Sequence, residues 1–222
     1  MADQRGANRE TTVRLTEIFF SLQGEAARSG LPTVFIRLTG CPLRCTWCDT
    51  EYAFTGGTPT DISAILVEVA KYPTRHVCVT GGEPLAQKSC LPLLAALCDA
   101  GYDVCLETSG ALDIQSTDPR VARIMDLKAP GSGECARNLL GNIADLRATD
   151  EIKIVLASRA DFDWAADMIR THGLTERCDV VLSPVAGQLD PTTLAEWILA
   201  EGLPVRFQIQ MHKLLWSDAR GK

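Results

Sequence analysis

No stretch of this 222-residue chain approaches the roughly 20 consecutive apolar residues that a membrane-spanning helix needs. Positive charge is also in short supply. Twenty-two Lys and Arg stand against 28 Asp and Glu, a formal net charge of −6, which argues against a general nucleic-acid or membrane surface. The opening residues, MADQRGANRE, lack the apolar segment of a secretory signal. A cytoplasmic protein with reduced thiols is therefore expected. Repeats, low-complexity tracts and linkers are absent too. The expected organisation is one domain over 12–216 between a polar tail at 1–11 and a short tail at 217–222, without a motif of its own. Cysteine, by contrast, is plentiful: nine residues, an odd number and mostly scattered, so disulfides are not expected.

Short β-rich runs alternate with helical patterns. The runs are 33–40, 76–82, 103–110, 123–130, 151–157 and 179–185, with flanking candidates at 13–20 and 205–213. They are almost continuously apolar, as strands buried on both faces of a parallel sheet should be. Helical stripes run through Ile62, Ile65, Leu66 and Val69, with Asp61 as cap, through Phe162, Ala165, Ala166 and Ile169, and through Leu194, Trp197 and Ile198. No full helix is assigned to 111–122 or 131–150. The fold class is α/β, as an open doubly wound sheet or as a partial or complete barrel. Several runs end in polar residues and glycines, at Thr39–Cys41, Thr80–Pro84, Glu107–Gly110, Asp126–Pro130 and Ser183–Pro184. Parallel α/β folds bind ligands at the carboxyl ends of their strands.

Three cysteines fall in one loop, GCPLRCTWCDT, as Cys41, Cys45 and Cys48. A structural zinc would need a remote fourth ligand, one of three histidines or six isolated cysteines. Core packing is a second alternative, but Arg44, Thr46 and Asp49 are poor company for a core. The third is an iron–sulfur cluster, normally held by four thiolates; three leave one iron open. Arg44 could then offset the cluster's charge.

The C-x3-C-x2-C spacing with Trp47 before the last cysteine, followed one βα unit later by TGGEP at 80–84, resembles the radical S-adenosylmethionine (SAM) enzymes. The likeness narrows to the 7-carboxy-7-deazaguanine synthase family through EIFFSLQGE (17–25), FIRLTGCPLRCTWCDT (35–50), LETSG (106–110), DLKAPGSG (126–133), LSPV (182–185) and QIQMHKLLW (208–216). The resemblance implies a radical SAM barrel. It implies a [4Fe–4S] cluster on the three cysteines, with SAM on the open iron, and assisting Mg2+. The implied reaction is ring contraction of a small-molecule pterin, 6-carboxytetrahydropterin, to 7-carboxy-7-deazaguanine with loss of ammonia, in queuosine and 7-deazapurine biosynthesis. It also implies a flavodoxin- or ferredoxin-like electron donor and allows a homodimer. Another small radical SAM enzyme, such as a glycyl-radical-enzyme activase, shares the cysteine spacing. A non-catalytic zinc module is the reading from another class.

Carried over residue by residue, the resemblance places the cofactor at Trp47, Gly82, Ser132, Gly133, Glu134, Ser183, Pro184 and Val185. It places the substrate at Leu22, Gln23, Gly24, Arg37 and Thr80, and Mg2+ at Thr50. The family usually shows Gly where this chain has Ala26. Residue chemistry is compatible. Arg37 interrupts an apolar run, and a buried guanidinium needs an anion, either a ligand carboxylate or a protein partner. Gln23 can both donate and accept, as a pterin edge demands. Asp49-Thr50 could instead form a cap or turn. Gln208, Gln210 and His212 should share one face of the last run, towards solvent or the pocket, with Phe207, Ile209 and Met211 on the other.

Overall fold

The computed structural model describes residues 11–217 and 219–221. The polar tail at 1–11 therefore lies, except for Thr11, outside the described residues. One nine-stranded sheet organises the rest. Its strands are β1 (Thr12–Leu22), β2 (Pro32–Leu38), β3 (Thr58–Asp61), β4 (His76–Gly81), β5 (Asp103–Thr108), β6 (Ala122–Asp126), β7 (Glu151–Leu156), β8 (Asp179–Pro184) and β9 (Arg206–Phe207). The spatial order is β3-β1-β2-β4-β5-β6-β7-β8-β9. β2 and β4 to β9 run parallel to one another, whereas β1 is antiparallel to both β2 and β3. With β3 and β9 as free edges the sheet is open, so it is the partial form of the barrel.

Among the described residues five α-helices accompany the sheet: α1 (Ile62–Val69), α2 (Cys90–Asp99), α3 (Arg159–His172), α4 (Pro191–Glu201) and α5 (Met211–Trp216). On one face Val34, Ile36, Val77, Val79, Val104 and Leu106 pack with Ile65 and Val69 of α1 and Leu93, Leu94 and Leu97 of α2. Further along, Ile152, Ile154, Val180 and Leu182 pack with Phe162, Ala165 and Ile169 of α3 and Leu194 and Ile198 of α4. The three expected helical stripes are thus the buried ones.

Four local expectations are corrected. Asp61 stands at the N-cap of α1 without a capping bond; its carboxylate accepts from Thr12 Oγ1 instead, at 2.9 Å, tying β3 to β1. Helix α2 was not expected. Its buried stripe, Cys90, Leu93, Leu94 and Leu97, is masked by further apolar residues on its other sides. β3, four polar residues long, gave no strand signal. The run at 205–213 is a strand only at Arg206–Phe207, after which α5 begins at Met211.

The opposite face of the sheet carries the site. Phe35, Cys78, Cys105 and Ile124 form a small apolar floor with Ala26. Side chains two residues apart on a strand share a face. The next residues on that face, nearer the strand ends, are Arg37, Thr80, Glu107 and Asp126, and all four line a pocket of about 610 Å³.

Candidate active site

β2 ends at Leu38, and the chain enters an irregular loop through Gly40, whose φ of +98° suits glycine. Cys41, Cys45 and Cys48 all line the pocket, half-buried and unoxidised. Burial pushes all three thiols above the ordinary range, and Lys128 pulls each the other way. Lys128 is thus the cation common to all three thiols, while Arg44 also favours the thiolate of Cys41. Arg44 donates to the carbonyls of Cys41 and Leu43 and lies over the Phe54 ring at 4.1 Å.

The loop is gripped from two sides. The backbone N–H of Glu83 donates to Gly40 O at 2.8 Å. A Cβ on Gly82 would fall 2.4 Å from Gly40 O and 2.6 Å from Cys41 Cβ, so the two segments touch because position 82 has no side chain. On the far side Thr46 N donates to Ser132 O at 3.0 Å and Thr46 Oγ1 to Gly131 O at 2.9 Å. Glu134 Oε1 accepts from Arg44 N at 2.5 Å. Buried Asp161 in turn accepts from Gly131 N at 2.7 Å. Ser132, Gly133 and Glu134 therefore sit beneath the cysteine loop, outside the pocket wall, and the Ser132 hydroxyl donates to Ala129 O at 2.6 Å. Ser183 and Pro184 end β8 just short of the wall, which Val185 joins. The Ser183 hydroxyl is buried with no hydrogen-bond partner among the described residues.

Leu22, Gln23, Gly24, Arg37, Trp47, Thr50, Thr80 and Gly82 all line the same pocket as the thiols. Arg37 has a protein partner: its Nε donates to Glu17 Oε1 at 2.8 Å, and Tyr52 Oη donates to the same oxygen at 2.7 Å. Among the described residues its terminal nitrogens have no hydrogen-bond partner, so one edge of the fork stays available. Gln23 Nε2 and Thr80 Oγ1 donate to the two oxygens of Glu107, at 3.2 and 2.7 Å. Thr50 Oγ1 donates to Asp49 Oδ1 at 2.6 Å, leaving its own lone pairs free to meet a cation. It caps no helix with its side chain. Asp49 is pushed up by burial but ends well below the usual carboxylate range, because His212, whose Nε2 lies 3.8 Å from its Oδ2, and the Thr50 hydroxyl favour its charged form.

A charged network completes the wall. Lys128 Nζ lies 3.1 Å and Lys153 Nζ 3.6 Å from Asp126 Oδ2. Lys153 also pairs with Glu25, whose other oxygen accepts from Gln210 Nε2 at 2.7 Å. Burial opposes charge on Asp126, Lys128 and Lys153, but the attraction of Glu25 for Lys153 and of Asp126 for both lysines wins, so all three stay ionised. Glu107, Asp126 and Lys128 stand at the strand ends read from sequence as the ligand face, without an individual role there, and Glu25, Lys153 and Tyr52 were not assigned to the site. A signal existed for four of them. Glu107, Asp126 and Lys153 are, like Arg37, charged residues in otherwise apolar strands, and Lys128 stands two residues past the end of β6.

The last segment closes over the loop after β1. Gln208 Oε1 accepts from Ala26 N at 2.6 Å, its Nε2 donates to Ala26 O at 3.2 Å, and Met211 N donates to Gly24 O at 3.1 Å. Gln210 and His212 line the pocket, while Phe207 and Ile209 are exposed. The polar side chains thus turn towards the site. Ala26 itself has a φ of +64°, a left-handed conformation in which glycine is at ease.

The donor set fits a cluster better than a single ion. Among the described residues no three His, Cys, Asp or Glu side chains are placed to hold one metal ion. A zinc site, with zinc–sulfur bonds of about 2.3 Å, would draw its thiolates to a point. A cluster takes each thiolate on a different iron. Three thiols, a close-packed glycine pair and an open pocket beside them suit a [4Fe–4S] cluster with one position left for SAM.

Comparison with known proteins agrees. Residues 35–130 match the Radical SAM superfamily. The chain is 46% identical over 216 residues to the 7-carboxy-7-deazaguanine synthase of Chlorobaculum tepidum, covering 96% of this chain and 98% of that protein. It is 40% identical over 220 residues to the synthase of Koribacter versatilis, covering 92% and 97%. The fold matches the crystal structure of QueE from Escherichia coli with a TM-score of 0.75 at 24% identity, over 96% of this chain and 100% of that one. A more distant fold match is Streptococcus suis SuiB bound to S-adenosylmethionine, with a TM-score of 0.54 at 13% identity, over 77% of this chain and 45% of that one. Sequence likeness over nearly the full length, on a cysteine loop and glycine turn that meet at one pocket, makes this chain a member of the 7-carboxy-7-deazaguanine synthase family of radical SAM enzymes.

Proposed function

We propose that the chain converts 6-carboxy-5,6,7,8-tetrahydropterin to 7-carboxy-7-deazaguanine with loss of ammonia, using a [4Fe–4S] cluster on Cys41, Cys45 and Cys48. The observation that carries this reading is one pocket lined both by the three thiols and by Arg37, Gln23, Thr80 and Glu107. The bound cluster and SAM supply the radical chemistry, while the protein supplies aim and dryness. Arg37 offers its free edge to the substrate carboxylate, held at the right angle by Glu17 and Tyr52. Glu107 orients Gln23 and Thr80 against the pterin edge. Lys128 and Lys153 keep their protons at Nζ, beside an ionised Asp126. Of the two, Lys128 is the one whose charge acts on all three thiols. A flavodoxin- or ferredoxin-like protein serves as the electron donor.

The direct test is product identification after anaerobic reconstitution and reduction. Ring-contracted product and ammonia should appear from the carboxypterin. SAM cleavage without that product would favour another small radical SAM activity, such as an activase, and colourless zinc-bound protein would favour a binding module.

Two site predictions arise here. Arg37→Lys keeps the charge but loses the planar fork. Substrate binding should weaken roughly 10- to 100-fold, the loss of a charge-assisted hydrogen bond, with iron content unchanged. Loss of iron or of folding without a separable change in substrate affinity would make Arg37 structural. The second concerns Mg2+, which prefers oxygen ligands and keeps several from substrate or water. Thr50 would tune its position rather than capture it alone. Thr50→Val should blunt the stimulation of turnover by Mg2+ while sparing iron loading. Superimposable Mg2+ titrations of the two proteins at matched iron content would remove Thr50 from the site.

A further inference from the structure

Arg37 and Glu17 meet because the sheet slips once between β1 and β2. Leu15 pairs with Leu38 but Glu17 pairs with Arg37, so β1 advances two residues where β2 advances one. Without that shift Glu17 would oppose Ile36, whose side chain packs in the helical layer. A one-residue slip exchanges the two faces of a strand, and bulges of this kind re-aim side chains beside active sites. Here the slip turns the Glu17 carboxylate to the face of Arg37, directly across the ladder from it.

The pair is then restrained from the cysteine loop. Gly40 N donates to Ala53 O at 2.8 Å and closes the loop at its base. Tyr52 stands just before Ala53. Its Oη donates to Glu17 Oε1 at 2.7 Å, and Arg37 Nε donates to the same oxygen at 2.8 Å. The guanidinium carbon of Arg37 lies 5.5 Å from the Phe19 ring centroid and 5.8 Å from that of Tyr52. Both hydrogen bonds thus fall on one carboxylate oxygen. A carboxylate beside a guanidinium is held most strongly when its two oxygens take two parallel N–H groups. Glu17 instead holds Arg37 through Nε alone, with the Tyr52 hydroxyl fixing the carboxylate by the shared oxygen. A Glu17 released from Tyr52 could turn and take a second N–H of the fork, the edge that a ligand carboxylate needs.

We propose that Tyr52 is a positioning residue that keeps Glu17 from competing with the ligand: it pins the internal carboxylate to a single N–H and so leaves the terminal N–H groups of Arg37 to the carboxylate of the substrate. The inference rests on the functional reading above. It assigns selectivity for a carboxylate to three side chains rather than to Arg37 alone. Glu17 orients the guanidinium and is also the ligand's rival for it; Tyr52 decides between the two roles. The loop that carries the thiols thereby also sets what the substrate side of the pocket accepts.

The test is equilibrium binding to anaerobically reconstituted full-length enzyme in the presence of SAM. The ligands are 6-carboxytetrahydropterin and tetrahydropterin, which lacks the carboxylate. Tyr52→Phe removes the hydroxyl and keeps the ring against Arg37. It should weaken binding of the carboxylated ligand roughly tenfold, the scale of one charge-assisted hydrogen bond. Binding of tetrahydropterin should change by no more than about twofold, well under one tenfold step. Glu17→Gln supplies the second background. A neutral amide oxygen still accepts from Nε but is a weak rival for a carboxylate. In that background Tyr52→Phe should cost no more than about twofold, because the competitor it releases is gone. Iron content should match wild type in all three variants. A loss of similar size in both backgrounds means that Tyr52 acts on the ligand or on the fold, and overturns the restraint. A Tyr52→Phe protein that binds the carboxypterin like wild type overturns it too, as do equal losses for both ligands. Wild type that fails to bind the carboxypterin overturns the functional reading and the restraint with it.

Discussion

Cys45→Ala is expected to reduce bound iron to background and to abolish SAM cleavage, whereas Cys98→Ala should leave both near wild type. With two thiolates left, a cluster has two under-ligated irons instead of one. Nothing in the loop can replace the missing ligand. Cys78, Cys90, Cys105 and Cys178 are locked in buried packing, and Cys135 and Cys98 lie outside the pocket wall. Cys98 packs at the margin of the helical layer on α2, so its replacement should cost only a little packing. Cys41→Ala and Cys48→Ala should match Cys45→Ala, since all three thiols line the same wall. Iron and sulfide assay with visible absorption gives the readout independently of turnover. A Cys45→Ala protein with full iron content and full turnover would remove the cluster from this loop.

The parts of the fold legible from sequence were those whose signal is local. β2, β4, β5, β7 and β8 are buried on both faces and read as nearly continuous apolar runs. The cysteine triad is local too, because its spacing alone places three thiols in one loop. Where local pattern misled, tertiary context had won. The alternation at 205–213 looks like a strand. Its polar members are instead drawn onto the loop after β1, Gln208 to Ala26 and Gln210 to Glu25, and the ladder with β8 stops after two residues. The long-range charge pairing could not be read. Lys153 meets Glu25 across 128 residues of sequence, because β7 happens to face the end of β1. The left-handed φ of Ala26 is a different case. The family pattern usually shows glycine there, but no backbone conformation was read from it; in the structure Gln208 clasps the Ala26 N–H and C=O.

Gly82→Ala should be a severely damaging single-methyl change at the site. Its backbone does not need the left-handed region, so alanine is conformationally allowed there and the effect is steric alone. The new Cβ would stand 2.4 Å from Gly40 O and 2.6 Å from Cys41 Cβ. Neither atom can rotate away, since one is backbone and the other is fixed to it. Overpacking a core by a methyl costs about 1–3 kcal/mol when neighbours can relax. Here relaxation means moving the first cysteine of the loop, while Thr46 and Arg44 remain tied to Ser132 and Glu134 on the other side. Stability should therefore fall by roughly 3 kcal/mol, the upper end of that range, and iron loading should drop even in protein that remains folded. Gly141→Ala is the matched control, because its Cβ would meet nothing within 4 Å. It should melt at or slightly above the wild-type temperature, through the reduced freedom of the unfolded chain. Thermal melts and iron content of the two variants decide the matter. A Gly82→Ala protein that melts and loads iron like Gly141→Ala would mean that the cysteine loop yields freely, and that contact between the glycine turn and Cys41 does not hold the loop in place.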